Sequence, residues 1–383
     1  MCRKHQRILF FITDLSYGGA ENELIYLATR LKLRGWDVRI ISLMSPEAYT
    51  RELESARIPL YSLGIRRKVF NPQIILRIAQ IIRTYQPHIV HSHMVHANLL
   101  ARAVSLIAQP NVLICTSHTT FEGGRHIDYL CRVTDPLCDL TTHVSQVGLD
   151  RYIRNCIVPK NKIRYIPNGV DIEYFHPDLN IKKITREELG LQNIFLWLAC
   201  GRFSPPKDYT NLLHAFAHTL KEKPDTLLII VGDGPLRSYM ETLAEDLGLR
   251  DKIIFLGIRH DLPRLMNAAD GYVMSSAWEG MPMVLLEASA VGLPIVATNV
   301  GDNANVVLDG QSGILVPPKN SRALANAMVS IMNCSEDQRL RMGEISRQYI
   351  ENNYSLDHVV DKWEALYREL LGKKANSHIT HNI

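Results

Sequence analysis

Two successive series of short apolar runs, each run followed by a segment of helical periodicity, limit what this chain can fold into more than any other feature. In the first series, residues 8–13, 38–43, 60–63, 89–91, 112–115 and 141–144 read as strands. Between them, apolar residues recur at helical spacing, as in Leu24, Leu27, Ala28 and Leu31, or Ile74, Ile75, Ile78, Ile81 and Ile82. A crossover of that length leaves consecutive strands parallel, with helices on both faces of the sheet. The second series runs through 196–200, 226–231, 253–256, 271–274 and 294–297. The expected class is therefore α/β, with two doubly wound, Rossmann-like parallel-sheet domains. A length of 383 residues agrees with two cores. The turn Pro167-Asn168-Gly169 and the polar, lysine-rich 176–188 place the junction, giving domains 1–168 and 169–354. A last helix, 355–371, carries Leu356, Val359, Val360, Trp363, Leu366, Tyr367 and Leu370 on one face.

Sheets of this kind bind ligands outside the carboxyl ends of their strands, so a cleft where two sets of strand ends face each other is the expected site. After the first strand of the second series comes Gly201-Arg202-Phe203-Ser204-Pro205-Pro206-Lys207. A guanidinium and an ammonium on one loop suit a diphosphate. The stretch Glu279-Gly280-Met281-Pro282-Met283-Val284-Leu285-Leu286-Glu287 places two carboxylates around a turn and a helix start. Backbone N–H groups of 280–284 are expected to be open there, and the two acids to hold separate hydroxylated parts of one ligand. Gly232, in a Gly-Asp-Gly-Pro turn, and the pair Gly18 and Gly19 permit close backbone approach. His118 ends another strand among Thr and Ser. His91 and His93 lack companion ligands for a metal, and none is expected. Plainer readings stand beside these: Arg202 and Lys207 as solvated loop charges, Glu279 and Glu287 as exposed acids, the histidines as structural residues.

Charge is uneven. Residues 1–170 hold 22 lysines and arginines against 12 carboxylates, and 171–383 hold 21 against 27. A basic half suits anionic lipid, nucleic acid or an anionic substrate. Seven scattered cysteines without a CxxC pair, a five-residue apolar run after the basic N-terminus, and no long apolar segment lead to an expected cytoplasmic protein without disulfides.

In order along the chain, GGAE, VHSH, TSHTT, IPNGVD, GRFSPPKD, VGDGPL, FLGIRHDL and EGMPMVLLEASAVGLPIVAT resemble the retaining glycosyltransferases of family 4, which have the two-domain GT-B fold. The resemblance implies that Glu279 and the amides of 281–283 hold the donor sugar and that Glu287 holds the ribose hydroxyls. It implies further that Arg202 and Lys207 hold the diphosphate, that Ile258 and Arg259 border the base, and that His118 lies near the transferred sugar. The last helix of such proteins crosses back to the first domain. The rigid Ser204-Pro205-Pro206 departs from the family pattern and bears on where Lys207 sits.

The implied reaction is metal-independent transfer, with retention, from a nucleotide diphosphate sugar, without any other cofactor. A UDP-sugar such as UDP-GalNAc, UDP-Gal or UDP-GlcNAc is expected because uridine is the commonest donor nucleotide in such enzymes. The basic Arg66-Arg67-Lys68 suits anionic inner-membrane lipid, and the acceptor is expected to be a polyprenyl-diphosphate-linked saccharide in O-antigen, capsule or related polysaccharide synthesis. Nucleic acid is not an expected partner, and the protein is expected to be peripheral on the inner face of the plasma membrane. Two other readings share the architecture: a nucleotide-sugar 2-epimerase, which would change the donor with no acceptor present, and a non-catalytic partner that keeps the fold.

Overall fold

A computed structural model describes residues 6–65, 73–191 and 194–380, the last four of them by backbone alone. The basic triplet Arg66, Arg67 and Lys68 lies outside the described residues. The chain forms two compact units. Unit one runs to Gly169 and resumes at Leu356, and unit two spans Val170–Ser355.

Unit one contains β1 (Arg7–Ile12), β2 (Asp37–Ser42), β3 (Leu60–Ser62), β4 (Ile89–His93), β5 (Leu113–Ser117), β6 (Leu140–His143) and β7 (Ile163–Tyr165). Their order across the sheet is β3-β2-β1-β4-β5-β6-β7, and every pairing is parallel. Every residue of β4 and β5 is buried, as expected for strands covered by helices on both faces. Unit two contains β8 (Phe195–Cys200), β9 (Thr226–Val231), β10 (Ile253–Gly257), β11 (Gly271–Met274), β12 (Ile295–Thr298) and β13 (Gly313–Val316). Its parallel order is β10-β9-β8-β11-β12-β13. In each sheet the chain first winds outward from a central strand and then returns to that strand's other side. The winding therefore reverses between β1 and β4 in one sheet and between β8 and β11 in the other. Helices on the two sides of such a point leave the sheet on opposite faces, and a crevice opens outside the strand ends.

The structure adds β7 and β13, short strands that the apolar pattern did not separate from loop. It also corrects the polar junction 176–188, where Leu179–Glu188 is a helix. Asp178 caps that helix by accepting hydrogen bonds from the Asn180 and Ile181 amides, and only Thr185 is buried along it. A helix with so narrow an inner face leaves little apolar periodicity to read.

Unit one is completed from the far end of the chain. The helix Leu356–Thr380 brings Val359, Trp363, Leu366, Tyr367 and Leu370 into one core with Leu24, Leu27 and Leu31 of the helix Gly19–Leu33. Polar contacts fix the register. The Trp36 indole donates to Glu364 at 2.8 Å, Arg34 pairs with Asp357 at 2.8 Å and Glu364 at 3.1 Å, and the Tyr367 hydroxyl meets His91 Nδ1 at 2.8 Å. Trp363 is buried in this core. Trp363→Ala should therefore cost about 3–5 kcal/mol in urea unfolding followed by fluorescence. A loss below about 1 kcal/mol would mean that the returning helix is not part of the core of unit one.

Candidate active site

At the β8/β11 reversal of unit two, the loop after β8 forms a short 3₁₀ turn, Pro205–Lys207. Two prolines preset this turn, and Asp208, in the left-handed region, starts the next helix by accepting from the Asn211 amide. Lys207 is thereby aimed at the loop after β11. Its Nζ lies 2.6 Å from Glu279 Oε1, and the Ser276 hydroxyl donates to the same oxygen at 2.7 Å. The two ionic side chains are only 19% and 13% exposed. Backbone ties hold the loops in register. The Ser275 hydroxyl donates to the Lys207 carbonyl at 2.8 Å, the Ala277 amide to the Pro206 carbonyl at 2.7 Å, and the Thr298 hydroxyl to the Ser276 carbonyl at 2.7 Å. The Asp302 amide donates to the Gly280 carbonyl at 2.9 Å.

Two glycines allow this packing. A Cβ on Gly232, at φ +136°, would lie 2.1 Å from the Gly201 carbonyl oxygen, and one on Gly301, at φ +54°, would lie 2.5 Å from that of Gly280. Gly232 thus serves the contact between the loops after β9 and β8. Lys207 and Glu279, assigned separate tasks from the sequence, form one neutral pair. Arg202 is exposed on the same loop and makes no ion pair among the described residues. Arg202 therefore supplies the uncompensated positive charge of this loop, while Lys207 can reach an anion only by sharing or leaving Glu279.

Glu287 is 2% exposed in the helix Met283–Ala290, which removes the reading of a solvated helix acid. Burial pushes its carboxyl up to about 8, so near neutral pH it carries a proton and presents both a donor and an acceptor. It lies near Cys200 at the end of β8, whose thiol is raised to about 12 by burial and then by the charge of Glu287. The expected open row of amides over 280–284 is shorter than the sequence implied. Pro282 has no N–H, its carbonyl accepts from the Leu285 amide at 3.2 Å, and Gly280, Met281 and Met283 are buried, with Val284 partly so. Ile258 is 48% exposed directly after β10. Arg259 beside it is held by Asp261 at 2.8 and 2.6 Å, so its charge is compensated.

Gly18, Gly19 and His118 belong to unit one. Gly18 precedes and Gly19 begins the helix after β1. His118, after β5, has its Nε2 2.9 Å from Nδ1 of His93, the last residue of β4. His118 Nδ1 and His93 Nε2 are buried without a hydrogen-bond partner among the described residues. Burial, with His143 a smaller cause, pushes His118 down to about 3, so its ring is neutral. Three further residues, two in this unit and one in unit two, have polar roles that no sequence pattern marks. His143 Nδ1 accepts the Ser145 amide at 3.0 Å, which leaves its proton on Nε2 to donate to the Thr119 carbonyl at 3.2 Å and fix the loop after His118. Glu21, buried and bonded to the Ser16 hydroxyl at 3.1 Å, is raised to about 7 by burial and by Asp14. Ser276 was visible only as a hydroxyl residue at a strand end.

The protonated Glu287 carries a pH signature. Below about 4.5 its carboxyl is protonated whether the chain is folded or not, and between about 4.5 and 8 the unfolded chain ionises it while the folded one holds the proton. Folding stability from this group is thus lost as pH rises through that window. Glu287→Gln should make the melting temperature of the protein fall less between those limits than it does in the wild type. Parallel pH curves would contradict the assignment.

The family model for Glycosyltransferase Family 4 matches residues 17–174, and that for glycosyl transferases group 1 matches 182–349. The chain is 28% identical over 316 residues to the Escherichia coli UDP-Gal:alpha-D-GlcNAc-diphosphoundecaprenol alpha-1,3-galactosyltransferase, covering 78% of this chain and 80% of that one. The crystal structure of Anabaena HepE in complex with UDP superposes with a TM-score of 0.82 at 24% identity, over 95% of this chain and 100% of that one. A glycosyltransferase from Rickettsia africae gives 0.83 at 24% identity, over 96% and 99%. At these identities the two structures speak to the fold alone. The two family models together account for most of the sequence, and the chain belongs to the family 4 glycosyltransferases and has the GT-B fold.

Proposed function

We propose that this glycosyltransferase moves a hexose from a UDP-sugar to a saccharide carried on a polyprenyl diphosphate, with retention at the anomeric carbon and without a metal. The observation that carries the reading is the Lys207–Glu279 pair across the β8/β11 reversal, with exposed Arg202 on the same loop. When the bond from the anomeric carbon to the diphosphate oxygen breaks, negative charge collects on the leaving group. Arg202 and Lys207 are the cations that stabilise it. The acceptor hydroxyl attacks from the leaving-group face, and its proton passes to the departing diphosphate. Glu279 and the backbone amides of Met281 and Met283 hold the sugar hydroxyls. Protonated Glu287 exchanges hydrogen bonds with the ribose, and Ile258 lies against the base. Neutral His118 can bond a sugar hydroxyl without adding positive charge.

Support for donor and acceptor comes from the printed activity of the Escherichia coli relative, which uses UDP-Gal and a GlcNAc-diphosphoundecaprenol. HepE is crystallised with UDP. Among the described residues no helix is long and apolar enough to cross a membrane, so such an acceptor would be met at the bilayer surface. We assign the protein on this basis to bacterial surface-polysaccharide synthesis, as a peripheral enzyme on the inner face of the plasma membrane.

The test is transfer from labelled UDP-hexoses to synthetic GlcNAc-diphosphoundecaprenol, with the linkage read by NMR. An α-linked product is expected, and Arg202→Ala and Glu279→Ala should each lower kcat/KM by about 10²–10³. A β-linked product would overturn retention. Transfer from GDP- or ADP-sugars alone would overturn the uridine assignment, and no transfer from any of these donors would overturn the acceptor class.

A further inference from the structure

We infer that the helix Arg125–Thr134 and the loop before it form the surface through which unit one rests on an anionic phospholipid bilayer. The inference deepens the proposed function and rests on it for the choice of occupant. The helix has ten residues and buries only Cys131. A helix face turned to water is ordinarily charged or polar, but the outward centre here is Tyr129 (63% exposed) and Val133 (49%), with Leu130 (41%) beside them and Phe121 (60%) on the preceding loop. At 100° per residue, exposed Arg125 and Arg132 flank Tyr129 on one side. Apolar and aromatic bodies edged by arginine, on a helix of low mean hydropathy, are the pattern of an element that lies in the headgroup region of a membrane.

The acids nearby are turned away from this face. Asp128, the helix's one carboxylate, is paired with Arg151. Glu122 in the loop has its Oε1 buried. The Arg151 guanidinium of that pair also lies 5.0 Å from the Phe121 ring centroid, which holds the most exposed aromatic of the loop beside the helix. Arg154 is exposed on the next helix and makes no ion pair among the described residues. The surface that results is apolar and positive, which complements anionic lipid headgroups. Its position agrees with the acceptor chemistry. The loop leaves the carboxyl end of β5, and Phe121 stands three residues after His118. A lipid-linked saccharide held at this surface would present its sugar at the ligand end of the first sheet.

The experiment is flotation of the full chain with phosphatidylglycerol-containing vesicles and with phosphatidylcholine vesicles, at low and high salt. The wild type should float with the anionic vesicles and lose recovery in salt. Phe121→Ser with Tyr129→Ser, and separately Arg125→Glu with Arg132→Glu, should each lower the bound-to-free ratio about tenfold or more, with unchanged thermal melting. Tyr129→Trp should raise the bound-to-free ratio above that of the wild type, a gain that loss of folding cannot imitate. Equal recovery on both vesicle types, or variants that float like the wild type, would overturn the inference. A wild-type dimer on a sizing column that the apolar variants make monomeric, with no vesicle binding, would reassign the surface to a second copy and also overturn it. Transfer to a water-soluble, short-chain acceptor diphosphate separates this from the proposed function. Variants that stop floating should retain that transfer, whereas its absence in a wild type that still floats through this helix would remove the function and leave the surface standing.

Discussion

The contact between Lys207 and Glu279 is where the topology of the second sheet becomes chemistry. Because the winding reverses between β8 and β11, the loops leaving those two strands lean apart and a crevice opens outside them. The ion pair and the Ser276 hydroxyl bridge that crevice, while glycines let the loops after β9 and β12 press against the bridging loops. The positions of Lys207 and Glu279 are thus set by folding, not by ligand. An anion can reach Lys207 only where this contact is shared or opened.

Within each unit, burial silences most of the other candidate titratable groups. Glu287 holds its proton to about 8, and in unit one Glu21 holds its proton to about 7 while His118 and His143 are pushed down to about 3 and 4. Lys207 and Glu279 cancel one another. The net charge among the candidate donor residues of unit two therefore comes chiefly from Arg202, since Arg259 is compensated by Asp261. A diphosphate approaching these loops meets a cation and hydrogen-bond donors, with no free carboxylate among the residues assigned to it except the one already bound to Lys207.

Much of this was legible in the residues. Strand runs such as 226–231 and helical spacing such as Leu24-Leu27-Leu31 fix element type through packing periodicity, and strand ends then mark where ligands go. The Trp363 face of the last helix was visible by the same rule. Side-chain pairing was not legible, because Lys207 and Glu279 are separated by 72 residues and only the parallel register of β8 with β11 brings their loops together. The protonated state of Glu287 was hidden as well. It depends on burial by neighbours remote in sequence, while its local context, the second turn of a helix, equally suits a solvated acid. The role of Gly232 in loop packing required the path of another loop, and the helix 179–188 was masked by its polar composition.

On the proposed mechanism the Lys207–Glu279 pair opens to the diphosphate of the donor. Calorimetric titration of UDP and of uridine into the wild type and Lys207→Met tests it most directly. UDP should bind about tenfold or more weakly to the variant, a loss of about 1.4 kcal/mol or more, while uridine affinity is unchanged. An unchanged UDP affinity, or an equal loss for UDP and uridine, would contradict it.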